Sequence, residues 1–312
     1  TETWPIFTDS NYGDAEVDMG KTKKAMDTLI KPLIEKGHVL VFPGFVGRSP
    51  EGKITTLGRG GSDITAVLLG STLDADEVVF VKDVGGVLSA DPKRVNGAKK
   101  IDVLNAEEAF TLTLAGAKIL HPRALKYKHG RLALRVVGFD EPDFSSGTVI
   151  RGEIKSDLQA ALDDSKVSMI AVVGEELKSS SSTFRMLSEA MTSGSRIVGI
   201  TLTESSLLLY AQGSGPLVER LHDMIKTAGV AKAIHCFEPL AMIVVSGPDL
   251  ERIPGVVDGV VGPLAKGNIN LYGIVTISSS IRLFVPWDSR EQALTLINAN
   301  IEEFKNNKGN GA

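Results

Sequence analysis

The stretch Ile54 to Asp63, ITTLGRGGSD, constrains this chain more than any other. A short β-like run ends in Gly58, Gly60 and Gly61, with Arg59 set among the glycines and Ser62 and Asp63 behind them. An apolar helical pattern (Ala66, Val67, Leu68, Leu69) comes next. That order reads as a strand, a tight loop and a helix, with the loop suited to an anion. Glycines accept φ > 0 and let backbone come close to a charged ligand. The free N–H groups of a first helical turn point at the anion, and an arginine grips a carboxylate or phosphate through two parallel hydrogen bonds. Ser62 or Asp63 would cap the helix. The plainer reading of the same residues is a turn followed by an ordinary helix start, because the glycine spacing fits neither a Walker A loop nor a dinucleotide fingerprint.

The surroundings predict an α/β layered domain. Apolar positions Ala25, Met26, Leu29, Ile30, Leu33 and Ile34 give Lys21 to Lys36 the spacing of an amphipathic helix. Val39 to Phe42 reads as a buried strand ended by Pro43-Gly44, and SPEGKITT as a hairpin-type connection. A helix over Ile64 to Leu73 precedes a nearly all-apolar strand over Glu77 to Val81, the kind covered on both faces in a parallel sheet. Asn105 to Gly116 is a helix with an Asn cap and an acidic first turn, delivering Lys118 and the segment HPRAL. Leu132 to Val137 is another strand, and the domain closes near residue 152. Helix alternating with buried strand means layers, and ligands sit at the carboxyl ends of such strands, where both loops fall.

Beyond residue 152 the chemistry-like motifs stop. A polar linker over 153–166 reads as a short helix, and a βαββαβ pattern then occurs twice, over 167–237 and 238–312, the second lacking an obvious closing strand. Such repeats form open sheets with helices on one face.

A formal net charge of −4 with no dense Lys/Arg block argues against a nucleic-acid binder. No apolar run reaches the length of a membrane span, and the start has no signal-peptide layout. The lone cysteine, Cys236, cannot form an internal disulfide and reads as a buried bystander of a reducing compartment. The histidines show no metal-ligand spacing, so no transition-metal site is expected, and His121 reads as a cap before a proline that opens a helix.

TTLGRGGSD, then KDVGGVLSADPK (Lys82 to Lys93), GAKILHPRAL (Gly116 to Leu125) and GTVI (Gly147 to Ile150), in this order, resemble aspartate kinase. The resemblance implies transfer of the γ-phosphoryl of ATP, with Mg²⁺, to the side-chain carboxylate of L-aspartate, the first step toward lysine, threonine and methionine. A carboxylate is already a nucleophile at neutral pH, so positioning and charge neutralisation carry the catalysis. Carried over position by position, the resemblance assigns Arg59, Gly60, Gly61, Ser62 and Asp63 to the substrate, with Thr8 as a further contact. It assigns Lys82, Asp83, Leu88, Ser89, Ala90, Asp91, Pro92, Lys93 and Lys118 to the nucleotide. The repeats resemble paired ACT modules, the second more closely, which implies an effector amino acid, lysine or threonine, near Ile253, Pro254, Gly255, Asn268, Ile269 and Asn270. Pairing of ACT modules between subunits implies a homo-oligomer.

Some positions depart from the family's commonest pattern. Lys82 and Leu88 look like a plant-type branch, and Lys93 stands where Arg is usual, keeping the charge and losing the bidentate fork. Members of the family open with a glycine-rich stretch carrying a lysine that touches the transferred phosphoryl, which nothing before Thr1 supplies. The chain alone is therefore expected to show weak or no turnover and an exposed sheet edge or apolar patch. The competing reading is a non-catalytic ACT-bearing regulatory subunit. A kinase of the same fold acting on acetylglutamate, glutamate or UMP is disfavoured by the paired repeats. Cytoplasm and, for a plant or algal source, plastid stroma fit equally.

Overall fold

The structure, a computed structural model, describes residues 4–140, 144–154, 158–175, 177, 181–229, 231–247, 250, 255–277 and 280–309. The chain divides into two units, one running to Asp157 and the other over Leu158–Asn307.

In the first unit, helix α1 (Met19–Ala25) starts at Asp18, whose carboxylate accepts the Lys21 N–H at 2.9 Å. It runs through one π-turn (Met26–Ile30) into α2 (Lys31–Glu35), burying Met26 and Ile30. Strands β1 (Val46–Arg48) and β2 (Ile54–Thr56) form an antiparallel hairpin, and α3 (Gly61–Thr72) follows the glycine loop. Then come β3 (Glu77–Lys82), β4 (Val103–Asn105), α4 (Ala106–Leu114), the short α5 (Pro122–Leu125), β5 (Ala133–Gly138) and β6 (Thr148–Arg151). Asn105 and Glu108 close a reciprocal capping box on α4, as the sequence suggests. The sheet order is β3-β5-β6-β4, with β3 and β5 parallel, β4 and β6 parallel, and β5 and β6 antiparallel. Ile64, Leu68, Leu125, Leu134 and Ile150 are fully enclosed at its core.

One expected strand is missing. Residues 38–43 join no sheet among the described residues, and Val39 and Val41 are 93% and 92% exposed, while Leu40 and Phe42 pack on the core. An all-apolar run implies two covered faces; here one face is covered and the other meets water.

The second unit holds β7 (Gln159–Val173), α6 (Ser181–Thr192), β8 (Arg196–Leu202), β9 (Ser206–Gln212), α7 (Gly215–Ala228), β10 (Ala233–Ser246), α8 (Val256–Lys266), β11 (Gly273–Ile277), β12 (Ser280–Pro286) and α9 (Arg290–Gly309). All its pairings are antiparallel, in the order β11-β12-β10-β7-β9-β8. The polar stretch read as a linking helix is instead the first part of β7: Gln159 to Asp163 lie against Ser246 to Met242. That segment is the closing strand of the second repeat, supplied from ahead of the first. Its Ala- and Leu-rich composition favours helix locally, and strand pairing overrides the preference.

As expected, this sheet is open, with β11 and β8 at its edges. The helices cover one face, where Leu209, Ile243 and Leu283 are buried. On the opposite face, Tyr210 of β9 stacks on Phe284 of β12 with ring centroids 3.9 Å apart. The Tyr210 hydroxyl donates to the Tyr272 carbonyl at 2.9 Å, and Arg282 donates to the Val198 carbonyl at 2.7 Å. Register shifts in β10 between Phe237 and Met242 mark the irregular stretch in the long β7-β10 pair.

Candidate active site

The glycine loop is held by what surrounds it. Gly58 and Gly60 have φ of 69° and 75°, and Gly60 is the residue from which α3 starts. A Cβ on Gly60 would overlap the His121 side chain, and one on Gly61 would lie 2.6 Å from the Phe45 ring. Glycine is thus required here by both backbone and space. The Thr65 hydroxyl accepts the Phe45 N–H at 3.0 Å and donates to the Gly61 carbonyl at 2.8 Å, fixing the first turn of α3. On that scaffold Arg59 and Ser62 are exposed, and Arg59 makes no ion pair among the described residues.

Asp63 joins three elements. One carboxylate oxygen accepts from Lys82 Nζ at 3.1 Å, at the carboxyl end of β3, and the other accepts the His121 N–H at 2.9 Å, at the start of α5. Lys82 also lies 5.6 Å from the centre of the Phe80 ring. The structure therefore brings Asp63 and Lys82 together from the two separate motifs. His121 opens α5 without a side-chain cap bond, the Pro122 ring standing in the first turn.

Asp83 is exposed just beyond Lys82. The Leu88 to Lys93 stretch belongs to an irregular loop in which Leu88 bridges Lys100 and the Ser89 N–H donates to the Lys99 carbonyl at 2.7 Å. The Asp91 carboxylate accepts the Lys93 N–H at 2.9 Å, with Pro92 between them, and Ala90 is half-buried. Lys93 and Lys118 are exposed, with no ion pair among the described residues. The Thr8 hydroxyl sits 2.7 Å from that of Thr55, both side chains buried. Among the described residues, no three acidic, His or Cys side chains converge as a metal site.

Of the effector candidates, Ile253 and Pro254 lie outside the described residues. Gly255 starts α8 with φ of 78°, Ile269 is buried, and Asn268 and Asn270 are exposed in the turn after that helix.

Sequence reasoning missed Arg123. It lies on α5, is 8% exposed, and donates to the Leu57 carbonyl at 3.2 Å, to Glu16 at 3.2 Å and to the Asp14 carboxylate. Burial opposes its charge, but the Asp14 hydrogen bond and the Glu16 and Asp14 charges outweigh burial and leave its pKa raised. Tyr127, one turn on, is shifted upward by burial first and by Glu16 second. An arginine on so short a helix has no periodicity to betray that it is buried.

No helix among the described residues is long and apolar enough to cross a membrane. Residues 8–138 match the amino acid kinase family. The chain is 27% identical to the aspartokinase of Thermus thermophilus, over 95% of this chain and 74% of the relative. It is also 27% identical to lysine-sensitive aspartokinase 3 of Escherichia coli, over 95% of this chain and 67% of the relative. The solved aspartate kinase of Synechocystis shares the fold, with a TM-score of 0.70 at 20% identity, over 88% of this chain and 50% of that one. Residues 8–138 thus carry an amino acid kinase family domain, and over 95% of its length the chain is similar to aspartokinases.

Proposed function

We propose that the chain transfers the γ-phosphoryl of ATP, carried with Mg²⁺, to the side-chain carboxylate of L-aspartate, giving 4-phospho-L-aspartate at the head of lysine, threonine and methionine synthesis. The observation that carries this reading is the exposed Arg59 on a rigid glycine loop at the start of α3, with Lys82 held beside the first turn by Asp63. One cation is free to take a carboxylate, and a second stands at the carboxyl end of a strand, where phosphates bind in layered sheets.

Under this reading Arg59, Gly60, Gly61 and Ser62 receive aspartate, and Lys82, Asp83, the 88–93 loop and Lys118 receive the nucleotide. Thr8, its hydroxyl 2.7 Å from that of Thr55, is the further substrate contact proposed. The second unit serves as a pair of interlocked ACT modules that sense lysine, in keeping with the lysine-sensitive relative, or threonine, and pair with a second copy of the chain. The domain limits proposed are 1–152, 153–166, 167–237 and 238–312, the stretch 159–163 completing the last module. Cytoplasm or plastid stroma is the proposed location. Turnover by the chain alone is expected to be weak.

Calorimetric titration of the chain with aspartate, Mg-ATP, lysine and threonine, beside an aspartyl-hydroxamate assay, tests the reading. Aspartate, nucleotide and effector binding with slow hydroxamate formation is the expected result. Binding of an effector amino acid alone would leave the regulatory-subunit reading standing in its place.

A further inference from the structure

The glycine loop has a second support that neither motif announces. The backbone of Tyr12 to Ala15 runs alongside β2: the Ala15 N–H donates to the Thr56 carbonyl at 2.9 Å, and the Thr56 N–H donates to the Tyr12 carbonyl at 3.0 Å. This brings Asp14 directly against Gly58, where a Cβ would run into its carboxylate and come within 3.4 Å of the Arg123 guanidinium. Two carboxylates, Asp14 and Glu16, with side chains 65% and 61% exposed, thus stand next to the loop that carries Arg59. Unopposed, they would repel an anionic substrate and compete for Arg59.

We infer that Arg123 is a positioning residue for the amino-acid substrate: its buried guanidinium locks the end of β2 to the 12–16 loop and draws both carboxylates away from Arg59. The fork geometry suits the task. One terminal nitrogen serves the Leu57 carbonyl and Asp14, and the other reaches Glu16 at 3.2 Å and the Ala15 carbonyl at 3.5 Å. A lysine, a point charge on a flexible stem, cannot hold four acceptors on two segments at once. The nucleotide-side groups are not among these partners, so the effect falls on aspartate and spares ATP.

This inference rests on the aspartate-kinase reading, and the test separates the two. Calorimetry of the 312-residue chain and of its Arg123→Lys, Arg123→Gln and Asp14→Asn variants is run with aspartate, Mg-ATP and lysine, beside thermal melts. Aspartate affinity is expected to fall about tenfold or more in Arg123→Gln and by a smaller factor in Arg123→Lys. Mg-ATP and lysine affinities are expected to stay unchanged throughout. Asp14→Asn, at an exposed partner, is expected to fold normally and to change aspartate affinity less than Arg123→Gln does. Equal aspartate affinity in a folded Arg123 variant overturns the positioning role. So does an equal loss for aspartate and Mg-ATP, which marks general damage. A wild-type chain that binds no aspartate overturns the parent reading and this inference with it.

Discussion

Lys82 Nζ lies 3.1 Å from Asp63 Oδ1, a contact between the carboxyl end of β3 and the first turn of α3. The side chains keep 29% and 21% of their exposure, so this half-screened pair contributes on the order of 1 kcal/mol to stability. Its larger effect is positional, since Asp63 also accepts the His121 N–H. Lys82→Ala is therefore expected to weaken Mg-ATP binding by roughly tenfold, the weight of one charge-assisted hydrogen bond to a phosphate, and to leave lysine binding unchanged. Calorimetry with both ligands checks this; parallel losses would indicate unfolding.

Arg59 and Gly60 are neighbours with opposite expected phenotypes. Arg59 is exposed and makes no ion pair among the described residues, so Arg59→Ala is expected to leave the melting temperature alone. It is expected to lower kcat/KM for aspartate by about 100-fold, roughly 2.7 kcal/mol of transition-state binding. Gly60 combines a φ of 75° with the His121 side chain where a Cβ would go. Gly60→Ala is expected to cost about 1–3 kcal/mol of stability and to displace His121. Melts and steady-state assays on the two variants separate ligand contact from loop support.

The exposed segment 38–43 gives a prediction of the reverse kind. A buried strand residue replaced by lysine costs several kcal/mol. Val41 is 92% exposed, so Val41→Lys is expected to stay within about 0.5 kcal/mol of the parent chain. Denaturant midpoints measured in parallel decide the matter. A destabilisation above about 2 kcal/mol would mean that Val41 is covered in solution.

Val41 also marks where the sequence stopped being legible. The elements of the first unit follow from local signals: apolar spacing for 19–35, the Asn105 and Glu108 cap for α4, and glycines for the loop. Whether an apolar run such as Val39 to Phe42 is covered on both faces depends on which strands lie beside it, which composition does not encode. Asp63 and Lys82 each stand in a motif, and their contact needed the fold. Arg123 carried no signal because its partners, Asp14, Glu16 and Leu57, lie far away in the chain. The closing strand Gln159 to Asp163 was hidden by composition, because Leu158 and Leu162 satisfy helical spacing as readily as strand alternation.

That strand supplies the remaining prediction. Ala160 and Asn298 are joined in both directions: the Ala160 N–H donates to the Asn298 side chain at 3.3 Å, and the Asn298 amide donates to the Ala160 carbonyl at 3.5 Å. Backbone groups alternate sides along a strand, so those of Ala161 face β10, opposite Val244. Ala161→Pro removes a ladder donor and is expected to cost about 3 kcal/mol. Hydrogen exchange provides the sharper reading. If residues 159–163 close the second repeat, the Val244 and Ser246 amides lose protection in Ala161→Pro while those of β8 and β9 keep theirs. A linking helix would instead leave β10 as protected as in the parent chain, and that result would return this segment to the linker.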